Sequence, residues 1–173
     1  MTEPLTLAAQ ATTADERALF EAFLDNYRAV ARAKLLGTSE SAARKRLVPS
    51  ATTLGGLVKH LRWVELGWFQ RVLAGIPAED LPPVPWTDED PDADFRLEPE
   101  ETVASLIAEY DAQCELSREV ARAHQLSDTG LHRTHGTVSL RWIYLHLIEE
   151  TARHAGQMDI LREQLDGAVG PEI

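Results

Sequence analysis

Four stretches of the sequence repeat apolar residues at three- and four-residue steps, the period of a helix that buries one face, and no useful length alternates as a half-buried strand does. The first runs from about Thr13 to Leu36. Thr13 and Glu16 stand at capping-box spacing, Phe20, Phe23, Tyr27, Val30 and Ala31 form the stripe, and Gly37 follows as a C-cap. The second runs from about Thr53 to Ala74 on Leu57, Leu61, Val64, Trp68 and Val72. A third is expected over about Pro99 to Ala123 and a fourth over about Ser139 to Leu165. Residues 75–99 hold six of the nine prolines and an acidic run, which predicts an extended crossing loop or a lid. The pattern predicts an all-α chain, one domain over residues 1–173: a four-helix bundle with a long crossing loop between helices two and three.

At 173 residues such a bundle can bury a real core. Seventeen Lys+Arg against 28 Asp+Glu give a formal net charge of −11, which repels nucleic-acid phosphates, and Arg44-Lys45-Arg46 is the nearest thing to a basic patch. Nucleic acid is therefore not an expected partner. No apolar run approaches the ~18 residues of a membrane span, and the N-terminus lacks a basic start followed by an apolar block. A cytoplasmic protein with no membrane partner is expected. Cys114 is alone, which excludes an intrachain disulfide; its place in the series Leu106, Ile107, Tyr110, Cys114 reads as a buried core thiol. Trp63, on the side of helix two opposite the stripe, is expected to be exposed and to favour a homodimer. There is no phosphate-binding glycine loop, nucleophile elbow or zinc-finger cysteine pair.

The fourth helix carries the chemistry. With Ile143 as the zero direction and about 100° per residue, Leu161, Leu147, Leu165 and Met158 fall within roughly 60° of it and define an apolar stripe. Glu150 lies near roughly −20° and His154 near roughly +20°, inside that stripe. An ionised carboxylate in a core is costly unless it is paired, hydrogen-bonded or bound to a metal. His154, one turn on, can be the partner; equally, Glu-x-x-x-His supplies two of the three protein ligands of a catalytic zinc. In helix two, His60 falls at the border of the apolar arc and can point across the bundle as the third ligand. Glu65, within the arc, is placed to hydrogen-bond a ligand histidine from behind. His146 and Gln157 lie at the edge of the stripe, beside the ligands and not among them, and His124, His132 and His135 are expected at the surface. From spacing alone, a His60/Glu150/His154 metal site and an inert buried Glu–His hydrogen bond both remain open.

The segments SLRWIYLHLIEETARHAGQMDILRE and TLGGLVKHLRWVELGWF resemble the DinB superfamily of metal-binding four-helix proteins. The likeness is greatest to its actinobacterial branch near the mycothiol-dependent maleylpyruvate isomerases and mycothiol S-transferases. It covers nearly the whole chain and rests most on Arg141-Trp142, Glu149-Glu150, Ala152-Arg153-His154-Ala155-Gly156, Asp159 and Leu161-Arg162-Glu163. The resemblance implies that His60, Glu150 and His154 hold a divalent ion, zinc or nickel, with Glu150 matching the mycothiol-dependent branch where many other members carry His. It further implies a thiol-dependent enzyme, in which mycothiol occupies the open metal position and its sulfur attacks a small electrophile. Those isomerases have a further C-terminal domain, and Gln157 stands where near relatives often carry another His, so isomerisation itself is the less expected outcome. Metal-dependent hydrolysis, proposed for other DinB members, and non-catalytic binding of a metal or small molecule are the alternatives.

Overall fold

The computed structural model describes residues 8–9 and 11–170. Helix α1 (Glu16–Leu35) starts at Asp15, whose side chain accepts a hydrogen bond from the Ala18 amide. The capping box expected at Thr13 is thus replaced: Asp15 lies directly before the helix and reaches its third amide. A single turn, α2 (Glu40–Ala43), follows; four residues are too few to show a period. Helix α3 (Leu54–Glu65) is capped by Thr53 and continues without a break into a π-helical segment, Leu66–Leu73. Helix α4 (Val103–Arg122) starts later than Pro99 because Thr102 and Ser105 form a capping box there. Helix α5 (Leu140–Asp166) runs from its Ser139 cap to the left-handed Gly167.

The protein is mostly helical. Among the described residues it also has one antiparallel hairpin, β1 (Thr129–His132) and β2 (Gly136–Ser139), with Thr129 opposite Ser139 and His132 opposite Gly136. Four residues per strand are too few for alternation to be legible, so these strands escape a periodicity search. The hairpin lies against the π-helical segment. A Cβ at Gly130 would collide with the Val72 carbonyl, so only glycine lets the two backbones meet.

Helix α1 packs chiefly on α5, and α3 on α4. The core has two contiguous clusters, one joining Leu57, Leu61, Leu106, Tyr110 and Met158, the other Leu24, Phe69, Ile143 and Leu147. Each fully buried Leu or Ile contributes about 1.5–3 kcal/mol. On α5, Leu147 sits in one cluster and Met158 in the other, both fully buried, and Glu150 and His154 lie on the stretch between them. Arg28 of α1 and Glu65 of α3 form a buried two-pronged pair, Nε and Nη2 donating to Oε1 and Oε2 at 2.7 Å each.

Between Leu73 and Thr102 the described chain forms only two 3-10 turns, Ala78–Asp80 and Ala93–Phe95. This stretch corrects the expectation for Trp63. The residue is 7% exposed, its ring meets Trp86 edge-on at 5.7 Å, and the Arg62 guanidinium lies over it at 4.7 Å. The long segment covers a side of α3 that helical geometry alone assigns to solvent, so Trp63 gives no support to a homodimer. No helix among the described residues is long and apolar enough to cross a membrane.

Candidate metal centre

His60 lies one turn after Gly56, on the same face of α3. A Cβ at Gly56 would collide with the Phe95 carbonyl, and one at Gly55 would stand 2.6 Å from Leu97 Cδ1. Gly56 therefore lets the Ala93–Phe95 turn rest on the helix, Gly55 makes room for Leu97 just after it, and that turn delivers two side chains to His60. Asp94, 6% exposed, accepts a hydrogen bond from His60 Nδ1 over 2.7 Å. Phe95 stacks on the imidazole with ring centroids 4.2 Å apart. The other carboxylate oxygen of Asp94, Oδ1, is buried without a hydrogen-bond partner.

On α5, Glu150 and His154 are one turn apart. His154 Nδ1 donates to Gln157 Oε1 over 2.8 Å, and its Nε2 lies 3.1 Å from Glu150 Oε1. His60 Nε2 lies 3.3 Å from that same oxygen. The two imidazoles meet edge to face, with centroids 4.9 Å apart. One candidate ligand atom from each of the three residues lies within 4.8 Å of the others.

With each Nδ1–H spent on Asp94 or Gln157, a neutral imidazole presents a lone pair at Nε2. Two lone pairs aimed at one carboxylate oxygen repel, and an ionised carboxylate can only accept. The arrangement needs positive charge at its centre, either a second proton on each ring or one cation. Burial opposes charge on His60, but its hydrogen bonds to Asp94 and Glu150 outweigh that and raise its pKa above the ordinary 6.5. Hydrogen bonds from His154 and His60 hold the Glu150 carboxyl well below the usual carboxylate range, against the opposing effect of burial. Two imidazolium rings at this separation repel each other; one divalent ion would replace both protons. Ligands at about 2.1 Å in a tetrahedral zinc site stand about 3.4 Å apart, and the 3.1 and 3.3 Å spacings fit that value. Two imidazoles, each held from behind, and one carboxylate are a donor set suited to a divalent ion.

The structure brings His60, Glu150, His154 and Gln157 together. Glu65 is a correction: expected behind a ligand histidine, it is spent on Arg28 and hydrogen-bonds neither His60 nor His154. The helical wheel places Glu65 inside the arc but says nothing of which neighbour faces it. His146 stacks on Trp142 at 4.9 Å and meets Trp68 at 4.8 Å, with no hydrogen bond to the three. His132 does more than face solvent, stacking on Trp68 at 4.6 Å on the wall of a cleft of about 420 Å³ that opens beside His60. Asp94 escapes the sequence reading because it sits in an acidic stretch without periodicity. The signal for it was Gly55-Gly56, two helix-weakening residues that serve where another backbone lies on that face.

No curated protein matches the chain. The family model described as mycothiol S-transferase (MST) matches residues 19–167, a span that includes His60, Asp94, Glu150, His154 and Gln157. That span takes in almost all of the described structure, and the chain belongs to the mycothiol S-transferase family, within the DinB superfamily.

Proposed function

We propose that this protein is a metal-dependent S-transferase that joins mycothiol to a small electrophile, built as a single four-helix bundle domain of the DinB type and acting in the cytoplasm. The observation that carries the reading is the convergence of the His60 and His154 Nε2 atoms on Glu150 Oε1, with each ring tied back through Nδ1. These three residues would hold zinc or nickel. A divalent ion bound there favours the thiolate over the thiol near neutral pH.

The chain's own groups prepare the site. Asp94 and Gln157 select the tautomer that turns each Nε2 lone pair inward. Glu150 stays ionised and brings one negative charge to the donor set. Trp63, Trp68 and Trp86 line the cleft and make its wall largely apolar. Cys114 is not the reacting sulfur: it is 3% exposed, and burial pushes its thiol well above the ordinary range. A small-molecule thiol, as family membership indicates, fills that role. In the conjugation the thiol proton passes to solvent, the sulfur bonds to an electrophilic carbon, and the displaced group leaves with the bonding electron pair.

The test is product analysis by mass spectrometry after zinc-loaded protein is mixed with mycothiol and monobromobimane, with and without chelator. The proposal expects an S-conjugate formed faster than in buffer and lost on chelation. Hydrolysed bimane formed equally without thiol would make the protein a hydrolase, and binding without turnover would make it a carrier.

A further inference from the structure

The helix face that leads away from His60 carries Trp63, Gly67 and Arg71 at steps of three or four residues, with Trp68 beside them, and all line one cleft. Trp86 adds a third indole from the 75–99 segment. Gly67 stands midway, where a Cβ would meet open space, and its φ is not left-handed. Glycine weakens a helix, and neither backbone conformation nor a close neighbour requires it here. What it preserves is room in the cleft. Hydrogen-bonding side chains are few: at the His60 end Asp94 gives Oδ2 to His60 and keeps Oδ1 unpaired, and beyond His60, Arg71 and His132 the wall is indole, valine, proline and glycine. Such a wall suits a flat π-system and leaves the hydroxyls of a sugar unsatisfied.

Arg71 closes this face with a cation. It is exposed and makes no ion pair or side-chain hydrogen bond among the described residues, in a chain whose formal net charge is −11. Eleven residues of helix separate it from His60, at most about 16 Å, the reach of a small fused ring system with an anionic substituent. We infer that the cleft binds a planar aromatic anion, its ring among the three tryptophans and its negative group on Arg71. Resting on the S-transferase reading, this ligand is the electrophile: an aromatic compound whose reactive carbon faces His60 while its anionic end is held at Arg71.

Isothermal titration calorimetry with 2-naphthalenesulfonate, whose sulfonate is a poor metal ligand, tests this on zinc-loaded and metal-free protein. Cyclohexanesulfonate and 2-naphthalenemethanol serve as the non-aromatic and uncharged comparisons. The aromatic anion is expected to bind about tenfold more tightly than either, with or without zinc. Arg71→Glu weakens it about tenfold, Arg71→Lys largely retains it, and Gly67→Leu abolishes it, with melting temperature and zinc content unchanged in all three. No binding to the wild type, equal binding of the three compounds, or binding indifferent to Gly67→Leu overturns the inference. Zinc content is measured separately, so a protein that binds the probe but no metal defeats the S-transferase reading alone.

Discussion

Asp94 Oδ2 accepts a 2.7 Å hydrogen bond from His60 Nδ1, and through it the proline-rich segment between α3 and α4 fixes the orientation of a side chain at the candidate metal centre. Partners of this kind hold a ligand's tautomer and ring plane, and their loss typically costs 10–100-fold in metal affinity. Asp94→Ala is expected to weaken zinc binding within roughly that range, read by competition with a chromophoric chelator. Gln157→Ala acts the same way through His154. Zinc affinity unchanged in both variants would show that neither residue supports the site.

The same hydrogen bonds set a pH dependence. His60 has its pKa raised, so it adds stability that is full below its unfolded value near 6.5 and is lost as pH rises through the folded value. Glu150 has its pKa lowered, so its contribution is present above 4.5 and lost only in strong acid. Metal-free protein therefore loses stability as pH rises above about 6.5 and His60 gives up the proton facing Glu150. Zinc competes with that proton, so the gap in melting temperature between zinc-loaded and chelator-treated protein is expected to widen as pH rises above about 6.5. A gap that narrows with rising pH would contradict the arrangement.

Glu65 pairs with Arg28 in the core and hydrogen-bonds neither candidate ligand histidine. Glu65→Ala strands the buried Arg28 guanidinium, leaving it only its 2.8 Å contact to Asp25, and is expected to cost about 3–5 kcal/mol in urea unfolding. Zinc stoichiometry of the folded fraction is expected to stay as in the wild type. Lost zinc with stability intact would return Glu65 to the site.

Cys114 packs in the core and is 3% exposed. Cys114→Ala is expected to keep full conjugation activity while losing about 1 kcal/mol of stability. Loss of conjugation in a variant that still folds and holds zinc would make this thiol a participant.

The long helices were legible because each repeats its apolar residues over enough turns for one face to declare itself, as Leu57, Leu61 and Trp68 do. Glu150 and His154 were legible for the complementary reason, being polar groups in an apolar stripe. The strands at Thr129 and Gly136 were too short to show a period. Asp94 and the buried face of Trp63 depend on where an irregular segment folds back, which no local spacing encodes. Glu65 shows the limit of a helical wheel: it identified an inward direction, and Arg28, from a helix distant in sequence, occupied it.

The most direct test of the metal centre is elemental analysis of protein purified with and without zinc or nickel reconstitution, alongside His154→Ala prepared identically. The convergence of two Nε2 atoms on Glu150 Oε1 predicts about one divalent ion per chain in the wild type and none in the variant. A wild type without metal even after reconstitution would contradict it, leaving protons alone to hold His60, Glu150 and His154 together.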